Sequence, residues 1–175
     1  MAVNSPLTTL PQRPLLLLDI DGVISLFGFD PARPPRGSFH SIDGIPHFLS
    51  AEAATHLRTL SRAYEQVWCS GWEEKANEYL PHLLGLSGPL PFLSFERPPG
   101  RANAHWKLAA IDARAGHRPL AWVDDAFNEA CHEWATRRAA PTLLLAASPE
   151  RGLGAAEVAE LLAWPGAQAP QPDRP

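Results

Sequence analysis

Four consecutive leucines, Leu15–Leu18, run into Asp19-Ile20. An unbroken apolar run this short, closing on an acid, predicts a strand buried on both faces whose carboxyl end opens on a site. Residues 22–48 mix Gly, Pro, Phe and His with no sustained period and predict a loop or a short hairpin. Helical spacing then begins: Ser50 offers a cap, and Ala53, Ala54, Leu57, Leu60 and Tyr64 share one face of a helix over Ser50–Tyr64. Gln66–Cys69 predicts a second strand, ended by Ser70-Gly71. Trp72–Leu84 predicts a helix with Trp72, Ala76, Tyr79, Leu80 and Leu83 turned inward, which Pro81 shortens or kinks. Pro91–Phe95 is the third expected strand.

The alternation continues. Asn103 is a candidate cap for a helix through Arg114 that Gly116 closes. Leu120–Val123 predicts a fourth strand, again ending in acids, Asp124-Asp125. The following helix, through Arg138, carries Glu129 and Glu133 early and its arginines late, as the helix dipole favours. Thr142–Leu145 is the fifth strand, and Ala155–Trp164 a last helix stopped by Pro165. Short strands alternating with helices predict an α/β fold, Rossmann-like, in three α/β/α layers around a mostly parallel five-stranded sheet. A helical bundle is the alternative. Prolines in residues 1–14 and 165–175 mark both as extended polar segments around a single domain at 15–164, with a small flap at about 25–48.

Composition narrows the class. The chain has 175 residues, enough for one domain with a real core. Hydrophobic residues make up 45% and charged residues 19%, which excludes a disordered acidic segment. No apolar stretch approaches the roughly 20 residues needed to span a bilayer. The first residues lack the basic start and apolar run of a signal peptide, so the expected location is cytoplasmic, with no membrane partner. A formal charge of -4 gives no general nucleic-acid surface. Cys69 and Cys131 read as buried thiols, and the 7 histidines and 2 cysteines lack zinc-ligand spacing.

Chemistry gathers at the strand ends. In a parallel sheet the ligand site lies beyond the carboxyl ends of the strands, where the chain places Asp19, Asp21, Ser70, Asp124 and Asp125. Taken singly, each acid is an ordinary turn residue, Ser70-Gly71 an ordinary turn, and Lys107 an ordinary surface lysine. Together, four carboxylates at one sheet edge repel one another, and a hard divalent cation, Mg²⁺, relieves the conflict. Without those four acids, the acidic and basic residues balance. Such a cation with Lys107, Ser70 and backbone N–H groups is what a phosphate group needs. One carboxylate can then attack phosphorus while a second protonates the leaving group.

These segments, in this order, resemble the haloacid dehalogenase-like superfamily. DIDGV (Asp19–Val23) looks like its first motif, WCSG (Trp68–Gly71) its second, Lys107 its third and WVDDAFN (Trp122–Asn128) its fourth. The resemblance implies that Asp19 is the nucleophile, forming an aspartyl-phosphate. It makes Asp21 the acid and base, with its backbone carbonyl on Mg²⁺, and gives Ser70 and Lys107 the phosphate. Asp19 and Asp124 become side-chain metal ligands, with Asp125 supporting them directly or through water. Gly22 permits the turn that brings Asp21 round. Asn128 stands where many relatives carry another acid, which leaves its contribution open.

An acid at Asp21 argues against carbon–halogen cleavage, because the dehalogenase members lack it. The intervals Asp21–Ser70 and Ser70–Lys107 are too short for a full cap. The resemblance therefore implies a capless phosphatase with an open site, whose phosphorylated substrate can be macromolecular. Phe27, Phe29, Phe39, His40, His47 and Phe48 either line a leaving-group pocket or pack the flap against the body. Trp72 either borders the cleft or starts its helix, and Arg97 and Arg101 either face a polyanionic substrate or lie in a solvated loop. Two other readings stand beside the enzyme: a binding or regulatory domain without turnover, and a receiver-type phosphoacceptor, which the order of Ser70 and Lys107 before Asp124 disfavours.

Overall fold

The computed structural model describes residues 12–96, 103–164 and 166. The chain runs β1 (Leu15–Leu18), β2 (Ser25–Leu26), β3 (Gly37–Ile42), β4 (Ile45–Ser50), α1 (Ala53–Leu60), β5 (Glu65–Trp68) and α2 (Lys75–Leu83). A 3-10 turn (Ala104–Lys107), α3 (Leu108–Ala115), β6 (Leu120–Asp124), α4 (Glu129–Arg137), β7 (Thr142–Ala146) and α5 (Ala155–Ala163) follow. The leucines of β1 alternate between two cores because successive side chains of a strand point to opposite faces. Leu16 and Leu18 meet Leu57 and Leu60 of α1, Leu80 of α2 and Leu161 of α5. Leu15 and Leu17 meet Ile111 of α3 and Trp134 of α4 on the other face. Three helices thus cover one side of the sheet and two the other, giving the three α/β/α layers.

The sheet itself corrects one expectation. It has four parallel strands, in the order β5-β1-β6-β7, and not five. The segment Pro91–Phe95 contributes a single bridge, Trp68 to Phe92. There the Trp68 N–H donates to the Pro91 carbonyl at 2.8 Å and the Leu93 N–H to the Trp68 carbonyl at 2.9 Å. The next bond down that ladder needs an N–H at position 91, where proline has none. On the other side β5 turns away at Ser70, whose carbonyl accepts from the Glu73 N–H.

Helix boundaries also move. Ser50 is the last residue of β4 and caps no helix; its Oγ accepts from the Glu52 N–H at 3.3 Å, and α1 begins at Ala53. Tyr64 lies beyond α1 but stays buried, its hydroxyl donating to the Leu161 carbonyl at 2.6 Å. Helix α2 starts at Lys75, which frees Trp72, and runs through Pro81 unbroken to Leu83. Tyr79 is not a core residue: its hydroxyl donates to Asp43 at 2.6 Å. Asn103 makes no side-chain cap, and the 3-10 turn intervenes before α3.

The expected flap is a three-stranded antiparallel sheet in the order β2-β4-β3. Its tip is a two-residue turn, Asp43-Gly44, between the paired Ile42 and Ile45. Both tip residues have positive φ, 51° and 79°, the geometry of a type I′ turn that suits the twist of a hairpin. Asp43 also pairs with Lys75, so the tip is tied to α2. Among the described residues no helix is long and apolar enough to cross a membrane. Cys69 and Cys131 are buried and unpaired.

Candidate active site

Strand β1 sits between β5 and β6, and the connections leaving β1 and β6 run to opposite sides of the sheet. That is the switch point at which a crevice opens beyond the strands. Register does the rest. Leu18 lies beside Val123 and Trp68, so the next residues, Asp19, Asp124 and Cys69, emerge side by side, with Ser70 one step beyond. The Asp19 N–H donates to the Val123 carbonyl at 3.0 Å, continuing the ladder to its last rung.

Lys107 bridges the two aspartates. Its Nζ is 2.6 Å from Asp124 Oδ2 and 3.0 Å from Asp19 Oδ2. The remaining oxygens are held by backbone: Ile20 N–H donates to Asp19 Oδ1 at 2.8 Å, and Ala126 N–H to Asp124 Oδ1 at 3.0 Å. Asp124 is fully buried and Lys107 only 3% exposed, so these charges act in a medium that screens them poorly. Burial pushes the Asp19 carboxyl well above the ordinary carboxylate range, with Asp124 adding to the rise and Lys107 opposing it. Burial and Asp124 likewise raise Asp125. Burial lowers the Lys107 ammonium, but Asp19 and Asp124 outweigh it and hold the group above the usual lysine range.

Oxygens of Asp19, Asp124 and Asp125 all lie within 4.8 Å of one another. Three carboxylates against one ammonium leave two negative charges, which a divalent cation would balance. The donors are all oxygen, with neither imidazole nor thiolate among them, and so suit Mg²⁺ better than zinc. The three carboxylates present could hold a divalent cation.

Asp21 stands apart from this group. Its carboxylate is half exposed, accepts from the Trp72 indole N–H at 2.9 Å and lies 3.6 Å from His47 Nδ1. Trp72 therefore borders the cleft, and the short spacing to Ser70 was its only signal in the sequence. Ser70 is buried, its Oγ 3.5 Å from the Trp72 N–H. Asn128 caps α4, its Oδ1 accepting from the Cys131 N–H at 3.3 Å, while its amide donates to His105 Nδ1. All eight positions line one cleft of about 850 Å³, together with Asn103, expected only as a helix cap, and Trp106 and Phe127, which no sequence signal marks. Trp106 stacks under Lys107 with 5.5 Å between Nζ and the ring centre, a contact foreshadowed only by adjacency. Arg97 and Arg101 lie outside the described residues.

Gly22 sets the position of Asp125. Its φ is +78°, and a Cβ there would sit 2.4 Å from the Asp125 carboxyl carbon. Gly85 has a similar φ, +61°, with open space around it. Gly22→Ala is expected to cost about 1–3 kcal/mol from backbone strain and further stability from the Asp125 collision. Gly85→Ala should show only the first effect, and the difference between the two thermal melts measures the second. Equal melts would mean that Asp125 moves aside freely.

No family model matches the chain, and no curated protein matches it significantly.

Proposed function

We propose that the chain is a Mg²⁺-dependent phosphomonoester hydrolase of the haloacid dehalogenase-like type, acting through an aspartyl-phosphate. One observation carries this reading: Asp19 and Asp124 emerge from neighbouring strands, share Lys107, and have Asp125 within 4.8 Å. A receiver-type phosphoacceptor is a poorer fit, because here the aspartate opposite the acid pair follows the first strand and the lysine precedes the pair in sequence.

In this mechanism the Asp19 carboxylate attacks phosphorus, forming an acyl-phosphate bond as the ester P–O bond breaks. Asp21, in its acid form, gives its proton to the departing oxygen. The resulting Asp21 carboxylate then takes a proton from water, whose oxygen attacks phosphorus and restores Asp19 while releasing phosphate. The Trp72 indole N–H holds Asp21 at the cleft wall in both steps, with His47 3.6 Å away. Lys107 holds Asp19 in place and offers its ammonium to the phosphoryl oxygens, and Ser70 lies where its hydroxyl can orient another. Asp19, Asp124 and Asp125, with the Asp21 carbonyl, would hold Mg²⁺, which offsets the repulsion between the carboxylates and the phosphate dianion.

The catalytic unit in this reading is residues 15–164, with 25–48 as a flap beside an open cleft that admits a phosphate on a large leaving group. The two buried free thiols suit a reducing compartment, which supports a cytoplasmic location. The protein is expected to release phosphate from a panel of aryl, sugar, nucleotide and peptide phosphomonoesters with Mg²⁺, and to stop on addition of chelator. A binding domain without turnover is the second reading, favoured by Lys107 and two backbone N–H groups already pairing both buried aspartates. Folded protein that binds Mg²⁺ but hydrolyses no member of the panel would decide for it.

A further inference from the structure

A second cavity, of about 420 Å³, opens on the flap side of Asp21. Its walls are the rings of Phe27, Phe29, Phe39 and Phe48 with Pro46 and His47. Asp21 and Phe27 line this groove and the active-site cleft alike, so the two spaces meet at the acid. Phe48 is the hub: its ring centre is 4.7 Å from that of Phe29 and 5.0 Å from that of Phe39. Packing the hairpin onto the body accounts for Phe48, which is buried, but not for its neighbours. Phe39 is 68% exposed and Phe27 49% exposed, a costly way to leave large apolar side chains unless something covers them.

We propose that this groove receives an uncharged aromatic leaving group. The inference rests on the hydrolase reading, because Asp21 can protonate only a leaving oxygen on its own side of the phosphate, and the groove begins there. Polar substituents find little in it. Ser25 Oγ and His47 Nδ1 share a hydrogen bond at 3.0 Å, and no lysine or arginine is among the described residues lining the groove. A sugar would leave hydroxyls unpaired against phenyl rings, and a second phosphate or carboxylate would meet Asp21 with no lysine or arginine to offset it. A flat ring gains edge-to-face and stacking contacts with Phe27, Phe29 and Phe39.

The test uses two esters whose leaving groups are both primary alkoxides, 2-phenylethyl phosphate and ethyl phosphate, so that intrinsic reactivity is matched. With Mg²⁺, kcat/KM for the phenyl ester is expected to exceed that for the ethyl ester by about tenfold or more, chiefly through KM. In Phe29→Ala/Phe39→Ala that ratio should fall toward one; a ratio is insensitive to a general loss of folded protein. Binding is read separately by calorimetry with the phosphonates of the same two alkyl groups, which cannot be hydrolysed, and the same preference is expected. Equal kcat/KM for the two esters with equal phosphonate affinities would overturn the groove and leave the hydrolase standing. A phosphonate preference that the double variant abolishes, without turnover of either ester, would keep the groove and remove the hydrolase. A preference that survives the double variant would place the ring elsewhere and overturn the proposal.

Discussion

Asp19→Asn is expected to lower kcat for every phosphomonoester by about 10⁴-fold or more, because the amide cannot attack phosphorus. The substitution is nearly isosteric, and the amide oxygen can still accept the Ile20 N–H that now binds Oδ1 at 2.8 Å. Two effects on stability oppose one another. Lys107 loses one anionic partner at 3.0 Å, while the buried site loses a charge that burial and Asp124 disfavour. Metal-free melts should therefore stay within about 1–2 kcal/mol of wild type. The rise in Tm on adding Mg²⁺ should shrink, since one of three gathered carboxylates is gone. Phosphate release and paired melts measure both. Turnover within tenfold of wild type would put the nucleophile on another residue.

What the sequence revealed about this site depended on locality. Asp19 and Asp124 were legible because each directly follows an unbroken buried strand, and a parallel sheet puts such positions at one edge. Their mutual distance followed from register, Leu18 beside Val123, which no local pattern encodes but the fold class constrains. Lys107 was singled out by its place before the fourth expected strand, and its buried bridge is the contact that this placement allowed. By contrast, the Trp72–Asp21 hydrogen bond and the His47–Asp21 approach join segments far apart in the chain. Both depend on where α2 begins and how the flap folds.

Tertiary pairing also decides the flap, the end of β4 and the edge of the main sheet. The three-stranded flap has the sequence of a loop or hairpin because its outer strand exposes Phe39 and buries only Ile42, so no alternation marks it. Asp43-Gly44 was the local turn signal available there. Ser50 looked like a cap, yet tertiary pairing recruited it into β4, and the Ser and Thr preference for helix starts yielded to a strand partner. Pro91–Phe95 had the composition of a strand but lacked the N–H that a second rung requires.

Lys107→Met is the substitution that should cost the most stability. Methionine fills much of the same volume, so the loss is mainly of charge. Without the ammonium, Asp19 and Asp124 face each other at the bottom of the cleft with little access to water, each keeping, among the described residues, one backbone N–H donor. Removing one partner of such a buried cluster costs about 3–5 kcal/mol. For a chain of this size that lowers Tm by about 6–20 °C. The charge origin has its own signature. Asp19→Asn in the Lys107→Met background should recover at least about 1 kcal/mol, because it removes one of the stranded carboxylates, although alone it is close to neutral. Mg²⁺ should also raise Tm more in Lys107→Met than in wild type, since a divalent cation supplies the positive charge that the lysine gave. A packing defect would respond to neither. Melts of the two single variants and the double variant, each with and without Mg²⁺, distinguish the two, and strict additivity with no extra response to Mg²⁺ would show that Lys107 holds the site by shape and not by charge.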